Sequence, residues 1–384
     1  MLNTVEFGEK LKELGYDFFS GVPCSFLKSL INYAINDCNY IHAANEGDAI
    51  AISSGSKIGG KKSVVLMQNS GLMNAVSPLV SLNAPFKIPL LGFVSLRGEP
   101  GISDEPQHEL TGKITTDLLE LMEIKWGYLS KDIVKAKQQL EEADEWIKKD
   151  QSFFFVVKKG TFQSEALKAQ ESRTSLIRKK EDEPSADEMP TRYDVLSVIN
   201  TLKDENTVQL ATTGKTGREL FEIEDADHNL YMVGSMGCIS SLGLGLALSR
   251  KDLNCVVIDG DGSLLMRMGS LATNGYYQPS NMLHILLDNN SHDSTGGQKT
   301  VSHNTNFVDI AASSGYPFAR YIHTMDQLKS AIKQWKEDQR LTFIYMKIAK
   351  GSKEKLGRPT LKPYEVKNRL EKFINSHKKS CDCF

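Results

Sequence analysis

The sequence predicts an α/β protein made of two doubly wound parallel-sheet domains. Short apolar runs alternate with helical patterns over residues 1–165, and the same alternation returns over residues 192–384. A charged segment, residues 166–191, separates the two regions and is predicted to be a linker. Such alternation is typical of parallel sheets covered by helices on both faces. A length of 384 residues favours two domains, because a single core stops growing at about 250–300 residues.

The first domain is predicted to begin with an amphipathic helix. Asn3 can cap it with Glu6 three residues later, Phe7 and Leu11 share one face, and Gly15 ends it. The other predicted elements of this domain are strands at 17–20, 63–67, 88–94 and 152–157, and helices at 46–56 and 72–82.

The second domain shows the same pattern after the linker. Its predicted strands are 207–211, 230–233, 254–258, 282–287 and 341–348. A charged tail follows Lys350.

Bulk properties exclude several classes of protein. A net charge of −2 argues against nucleic-acid binding. The start has no apolar leader, and no uncharged stretch is long enough to span a membrane. Six cysteines without a C-x-x-C pair indicate free thiols, and Cys381 with Cys383 cannot alone form a zinc site. We therefore expect a cytoplasmic protein that contacts neither nucleic acid nor membrane.

Two polar clusters each follow an apolar strand of the second domain. Asp261, between Gly260 and Gly262, follows the first strand, and Asp288-Asn289-Asn290 follows the second. Carboxylate, amide and carbonyl oxygens are the ligands that Mg²⁺ prefers. The predicted metal ligands are Asp261, Asn289 and the backbone carbonyl of Ser291, with Asn290 as an alternative to Asn289.

The same motif can hold a diphosphate. Gly260 and Gly262 allow close backbone approach, and a helix starting near Ser263 offers free N–H groups. Because D-G is a common turn dipeptide, two ordinary loops could explain each cluster alone. The paired clusters resemble the thiamine diphosphate-binding motif of the thiamine-dependent enzymes, which implies thiamine diphosphate and Mg²⁺ as cofactors.

This resemblance implies further cofactor-binding residues. Glu46, in the segment N-E-G-D-A-I-A-I, corresponds to the catalytic carboxylate at the aminopyrimidine ring, although alone it could simply complement the helix dipole. The turn containing Gly234, Ser235 and Met236 would hold the cofactor in its bent shape. The residues implied at the diphosphate, besides those above, are Thr212, Thr213 and Gly214.

Four longer segments narrow the family. Residues 20–27, 67–72, 96–108 and 292–298, in this order, resemble the phosphonopyruvate decarboxylases, with the sulfopyruvate decarboxylases as close relatives. The resemblance implies conversion of 3-phosphonopyruvate to phosphonoacetaldehyde and CO₂. It also implies a pyrimidine-binding domain over 1–165, a diphosphate-binding domain with the tail over 192–384, and no central third domain. In this family the cofactor lies between domains of different subunits, which implies a homo-oligomer.

A small anionic 2-oxo acid needs hydroxyls, N–H groups and cations. The candidate substrate-binding residues are Ser25, Ser70, Arg97, Ser294 and Thr295. His108 and His292 are candidate catalytic proton carriers, because imidazole titrates near neutral pH. Alternatively, Arg97 and His108 only pair with Glu99 and Glu105 in a surface loop.

Three other functions compete with this hypothesis. Sulfopyruvate decarboxylation is a second enzyme hypothesis. A silent cofactor-binding regulatory subunit is a third, but Glu46, Asp261 and Asn289 are all present. A dinucleotide-binding oxidoreductase is disfavoured, because no G-x-G-x-x-G follows the first strand.

Overall fold

Two parallel sheets organise the chain. A computed structural model describes residues 1–169, 179–181, 189–294, 297–353 and 355–377. The chain divides into two compact units, Met1–Ser172 and Arg173–Phe384, which follow one another directly. Each unit is built on a parallel β-sheet with helices between the strands. The predicted α/β class with two doubly wound sheets is therefore confirmed.

The first unit contains a six-stranded sheet within residues 1–169. Its strands are β1 (Tyr16–Gly21), β2 (Asn39–His42), β3 (Lys62–Gln68), β4 (Leu91–Ser95), β5 (Lys125–Tyr128) and β6 (Phe153–Val157). Its helices are α1 (Thr4–Glu13), α2 (Lys28–Asp37), α3 (Glu46–Ile58), α4 (Asn69–Pro78), α5 (Ala84–Phe86), α6 (Glu109–Leu121) and α7 (Ile133–Lys148). A π-helical turn, Leu79–Asn83, joins α4 to α5, and a 3₁₀ turn, Pro106–His108, precedes α6. The strand order is β2-β1-β3-β4-β6-β5.

The predicted elements of this unit are largely confirmed. The Asn3 side chain caps α1 by accepting a hydrogen bond from the Glu6 N–H. The strand predicted at 88–94 begins only at Leu91, since Pro89 has no N–H for a ladder. Two strands, β2 and β5, were not predicted. Both have only four residues, and β5 is a half-exposed edge strand without a continuous apolar run.

The second unit contains a seven-stranded sheet within its described residues. The strands of this unit are β7 (Lys179–Glu181), β8 (Thr207–Ala211), β9 (Asn229–Tyr231), β10 (Asn254–Gly260), β11 (Met282–Asp288), β12 (Ser291–His292), β13 (Gln298–Lys299), β14 (Phe318–Ile322) and β15 (Thr342–Lys347). Its helices are α8 (Arg192–Thr201), α9 (Lys215–Ile223), α10 (Ile239–Ser249), α11 (Asp261–Met266), α12 (Ser270–Tyr277), α13 (Phe307–Ser313), α14 (Met325–Asp338) and α15 (Pro363–Ser376), with a 3₁₀ turn at Val301–Asn304. The sheet order is β7-β14-β15-β11-β10-β8-β9, and β12 with β13 forms a separate antiparallel pair.

Four details differ from the sequence-based expectations. The strand predicted at 230–233 ends at Tyr231, and the helix expected near Ser263 begins at Asp261. Strand β14 was missed because Arg320 interrupts its apolar pattern. Within the predicted linker, Lys179–Glu181 pairs with β14 as an edge strand, which requires only backbone hydrogen bonds. The rest of residues 170–188 and the Cys381–Cys383 tail lie outside the described residues.

Two further expectations concern cysteines and membranes. Cys24, Cys38, Cys238 and Cys255 are free thiols, as predicted for this part of the chain. No described helix combines the length and the apolar character needed to cross a membrane.

A buried carboxylate ties α7 to the first sheet. The Asp144 side chain is 3% exposed and accepts hydrogen bonds from Tyr16 Oη at 2.8 Å and from Lys62 Nζ at 2.6 Å. Lys148 Nζ lies 3.0 Å from its other oxygen. Burial raises the pKa of Asp144, but the hydrogen bonds from Lys62, Tyr16 and Lys148 outweigh it and lower the pKa overall.

We predict that Asp144→Asn lowers the free energy of unfolding by about 1–3 kcal/mol at pH 7. Because the pKa is lowered on folding, this contribution is present above the unfolded pKa, about 3.9, and is lost as pH falls through the folded value. Urea unfolding at pH 7 and at an acid pH below the folded pKa tests this, since the difference from wild type should vanish in acid. Asp117→Asn, an exposed change on α6, is the control. An equal loss at both pH values would contradict the prediction.

Candidate active site

The carboxyl ends of three neighbouring strands in the second unit open onto one cavity. Strands β11, β10 and β8 lie side by side in that order. A cavity of about 260 Å³ lies at their carboxyl edge, where parallel sheets hold ligands. The predicted residues that line it are Thr212, Thr213, Gly214, Met236, Gly260, Asp261, Gly262, Ser263, Asn289, Ser291, His292 and Ser294.

Two predicted residues of this unit are placed outside the cavity. Gly234 and Ser235 do not line the cavity but form a bend after β9, with φ values of 67° and 43°. A serine in the left-handed region is strained by about 1–3 kcal/mol. This bend directs the chain so that Met236 reaches the cavity wall. Thr295 lies outside the described residues.

Asp261 is a buried carboxylate without a cationic partner among the described ion pairs. Asp261 is the first residue of α11. Its Oδ2 accepts hydrogen bonds from Thr300 Oγ1 at 2.5 Å and Ser302 Oγ at 3.0 Å. Burial raises the pKa of Asp261, the two hydroxyl hydrogen bonds lower it, and the charge of Asp288 raises it, with a net rise. A cation beside Asp261 would relieve this unfavourable charge, so the carboxylate fits a metal ligand.

The structure separates the two asparagines that the sequence left open. Asn289 lines the cavity, donates from Nδ2 to Asp293 Oδ2 at 2.6 Å, and accepts from the Ser291 N–H at 3.1 Å through Oδ1. Asn290 does not line the cavity, and its Oδ1 accepts a hydrogen bond from Lys347 Nζ. The geometry therefore favours Asn289 as the amide ligand.

The donor set fits Mg²⁺ rather than a softer metal. Within the described ranges, no group of three His, Cys, Asp or Glu side chains could hold an ion. A cation in this cavity would therefore depend on one carboxylate, one amide and backbone oxygens, a hard-oxygen set.

The cavity also offers groups suited to a diphosphate. Gly214 immediately precedes α9, whose first N–H groups carry the positive end of the helix dipole. Ser263 Oγ lies 2.9 Å from Thr212 Oγ1 and accepts a hydrogen bond from the Gly237 N–H at 3.1 Å. Strands β8 and β10 and the bend after β9 are thus joined around the same wall.

Sequence reasoning missed a buried ionic group beside the metal loop. Arg192 is 6% exposed, lines the cavity, and donates from Nη2 to Asp293 Oδ2 at 2.7 Å. Its Nη1 lies 3.6 Å from Glu219 Oε1. Burial raises the pKa of Glu219 although Arg192 lowers it. Nothing in the sequence connects Arg192, the first residue of α8, with Asp293, because only tertiary folding brings them together.

In the first unit, the predicted residues follow four adjacent strands. Ser25, Glu46, Ser70 and Arg97 come after β1, β2, β3 and β4 respectively, so they share the carboxyl edge of that sheet. A larger groove of about 980 Å³ lies at the opposite edge of this sheet. None of the predicted site residues lines it.

Glu46 is the first residue of α3. Asn45 caps this helix by accepting a hydrogen bond from the Gly47 N–H. Glu46 is half-buried, and its Oε2 accepts a hydrogen bond from Asn74 Nδ2 of α4 at 2.9 Å. A Cβ at Gly71 would lie 2.1 Å from Glu46 Oε1. The carboxylate therefore lies directly against the backbone of α4, where only glycine leaves room.

Arg97 is held in place by a carboxylate, though not by the one considered from sequence. It donates from Nε to Asp104 Oδ2 at 2.7 Å and from Nη1 to Ser25 Oγ at 3.2 Å. Arg97 lowers the pKa of Asp104 below its usual range. Glu99 instead pairs with Lys158. Ser70 does not contact Arg97 and accepts a hydrogen bond from Gln68 Nε2 at 2.6 Å.

The two histidines occupy different surroundings in their separate units. His108 is buried, and its Nδ1 has no hydrogen-bond partner among the described residues. Its imidazole forms no described ion pair with Glu105, although the His108 N–H donates to the Glu105 carbonyl at 2.9 Å. His292 lines the cavity of the second unit, where a Cβ at Gly262 would lie 2.6 Å from its Cε1. His292 therefore packs against the backbone of the loop that contains Gly260, Asp261 and Gly262.

Residues 213–346 match the family described as "Thiamine pyrophosphate enzyme, C-terminal TPP binding domain". This range contains the cavity residues from Thr213 to Ser294. Fold, cavity and family match together define a thiamine diphosphate-dependent enzyme, and the oxygen donors of the cavity suit its usual partner, Mg²⁺.

Full-length relatives identify the family. The chain is 37% identical to the phosphonopyruvate decarboxylase of Streptomyces hygroscopicus, over 97% of this chain and 94% of the relative. It is 27% identical to the sulfopyruvate decarboxylase of Methanosarcina acetivorans, over 96% and 97% respectively. The chain belongs to the phosphonopyruvate decarboxylase family. Its fold is similar to the crystal structure of benzoylformate decarboxylase from Polynucleobacter necessarius, with a TM-score of 0.73 and 13% identity, covering 92% of this chain and 100% of that one.

We predict that Gly71→Ala displaces the Glu46 carboxylate without unfolding the protein. The new methyl group would meet the flexible end of a side chain, and alanine is the better helix former. Decarboxylase turnover should fall by roughly 100-fold, as expected for a misplaced catalytic group, while the melting temperature stays within a few degrees of wild type.

Gly127→Ala is the matched control, since its nearest atom would be Phe153 Cζ at 3.7 Å. Wild-type turnover in Gly71→Ala would show that the position of Glu46 is unimportant.

Proposed function

We propose that this chain decarboxylates 3-phosphonopyruvate to phosphonoacetaldehyde and CO₂ with thiamine diphosphate and Mg²⁺. The observation that carries the proposal is the cavity of the second unit. There a buried, uncompensated Asp261 and the Asn289 amide lie beside the N-terminus of α9. The full-length identity to a phosphonopyruvate decarboxylase supports the choice of substrate.

The second unit would hold the charged end of the cofactor. Asp261, Asn289 and the Ser291 carbonyl are the proposed Mg²⁺ ligands. Residues at the ends of β8 and β10 would bind the diphosphate, and the bend after β9 would hold the ring. The residues proposed for these two tasks are Thr212, Thr213, Gly214, Gly260, Gly262 and Ser263 for the diphosphate, and Gly234, Ser235 and Met236 for the ring.

The first unit would supply the carboxylate for the aminopyrimidine ring. Glu46 would hold a proton in a hydrogen bond to that ring, and Asn74 would orient it. When bound, thiamine diphosphate supplies the nucleophilic carbon and accepts the electron pair left by CO₂.

Each unit carries only part of the required groups. Glu46 lies in the first unit and the metal ligands lie in the second. We infer that the chain self-associates, as the family resemblance implies, so that units of different copies complete each site. The proposed domain roles are pyrimidine binding for residues 1–165 and diphosphate binding for residues 192–384.

The phosphonate would be bound by hydroxyls and a guanidinium. Arg97 and Ser25 are already joined by a hydrogen bond, and Asp104 holds the guanidinium plane through two further nitrogens. Bidentate pairing of this kind fixes the geometry of an arginine. Ser70, Ser294 and Thr295 are the other proposed contacts. His108 or His292 would return a proton before the aldehyde leaves.

We predict that CO₂ release from phosphonopyruvate exceeds that from sulfopyruvate and pyruvate by at least about tenfold in kcat/KM, because hydrogen-bond donors matched to one anion discriminate against others. The three acids are assayed side by side, with and without thiamine diphosphate. Faster turnover of sulfopyruvate would support that alternative substrate, which the 27% identical relative makes the second candidate. No turnover of any acid, despite cofactor binding, would indicate a silent regulatory subunit.

We also predict that Glu46→Gln lowers turnover of phosphonopyruvate by about 100-fold or more, because an amide cannot hold the required proton. Thiamine diphosphate binding, followed by calorimetry, should remain measurable since the metal site is intact. Glu13→Gln, an exposed change on α1, is the control. Retained turnover in Glu46→Gln would refute the role of Glu46.

A further inference from the structure

One oxygen of Asp261 is already occupied by two buried hydroxyls. Thr300 Oγ1 lies 2.5 Å from Oδ2, and Ser302 Oγ lies 3.0 Å from the same oxygen. Thr300 is 8% exposed and Ser302 is 2% exposed. The Gly262 backbone also donates to this carboxylate. Among the described residues, both hydroxyl hydrogen bonds go to Oδ2 and none goes to Oδ1.

The two hydroxyls differ in the number of carboxylates that they approach. Ser302 Oγ also lies 3.1 Å from Asp288 Oδ1 and accepts a hydrogen bond from Asn290 Nδ2 at 2.5 Å. Because a hydroxyl has one proton, Ser302 can donate to only one of the two carboxylates at a time. The two hydroxyls also lie 2.8 Å apart, so one of them can donate to the other. Thr300 Oγ1 lies closer to Asp261 and approaches no second carboxylate among the described residues, so Thr300 is the main donor to Asp261 and Ser302 can donate to Thr300 or to Asp288.

The hydroxyls are fixed by the backbone around them. The Thr300 N–H donates to the Asn290 carbonyl at 3.2 Å. Thr300 also caps the 3₁₀ turn Val301–Asn304 by accepting from the Ser302 N–H. The segment that follows the Asn289 loop thus folds back onto this loop. Both hydroxyls therefore lie next to Asp261.

We propose that Thr300 and Ser302 are positioning residues that make Asp261 a one-oxygen ligand and so set the preference of the site for Mg²⁺ over Ca²⁺. Mg²⁺ requires close to octahedral geometry and accepts single oxygens, whereas Ca²⁺ takes six to eight oxygens and often both oxygens of a carboxylate. A carboxylate with Oδ2 occupied favours the smaller ion. The inference rests on the proposed function, because it assumes that the cavity holds a cation with the cofactor.

Selectivity separates this role from a merely structural one. If the hydroxyls only satisfied a buried carboxylate, their loss would lower stability and weaken both cations equally. A positioning role requires that the ratio of the two affinities changes, because Oδ2 becomes available to the larger ion.

The test uses the full chain and three variants, Thr300→Val, Thr300→Ser and the control Thr305→Val. Thr305 lies in the same segment, but its hydroxyl donates to the Val301 carbonyl. Mg²⁺ or Ca²⁺ is titrated at fixed thiamine diphosphate, and cofactor binding is followed by calorimetry. Thr300→Val should weaken Mg²⁺ about 10–100-fold, the usual loss for an outer partner of a ligand, and Ca²⁺ clearly less. Thr300→Ser and Thr305→Val should keep the wild-type affinity ratio.

An unchanged Mg²⁺ to Ca²⁺ ratio in Thr300→Val would overturn the inference, whether or not its melting temperature falls. If Thr300→Val does not fold, Thr300→Ala, which also removes the hydroxyl, gives the same comparison. Failure of the wild type to bind thiamine diphosphate with either ion is distinguishable, because it would remove the proposed function itself and this inference with it.

Discussion

Two carboxylates buried at the ends of adjacent parallel strands impose the main constraint on this protein. Asp288 is 0% exposed and Asp261 is 3% exposed, and removing such charges from water costs several kcal/mol each. Asp288 is compensated by Lys347 Nζ at 3.2 Å and Tyr345 Oη at 2.8 Å. Among the described residues, Asp261 receives only neutral donors. Its charge is therefore the one for which we propose a bound cation as the compensating partner.

Similar residues elsewhere serve the fold because their charges are balanced. Asp144 has two lysines within 3.0 Å, and Asp104 has the guanidinium of Arg97 and two backbone N–H groups. Asp104 is nonetheless part of the candidate substrate region, since it holds Arg97 next to Ser25. Charge balance, rather than burial alone, distinguishes these carboxylates from Asp261, the proposed metal ligand.

The fold was predictable where apolar runs were long and uninterrupted. Strand β8 has the predicted range. Strands β10 and β11 begin at the predicted residues and end within two residues of the predicted ends. Prediction failed for short or polar strands. Arg320 of β14 is buried, and its Nη2 donates a hydrogen bond to Gln334 Oε1 of α14 at 3.1 Å. No local sequence pattern predicts this contact between two elements. For β7, a run of three charged residues pairs with β14 as an edge strand, and an apolar pattern cannot predict such a strand.

The sequence by itself determined the class of fold, the family resemblance and the positions of the two polar clusters, because these depend on periodicity and on short local motifs. Tertiary structure decided which side chains act together. In the folded chain, Asn290 accepts a hydrogen bond from Lys347, whereas Asn289 lines the cavity. It paired Arg97 with Asp104 instead of Glu99, and it brought Arg192 to Asp293 and Thr300 to Asp261. Contacts between residues distant in the chain depend on sheet order and loop paths, and a linear motif contains neither.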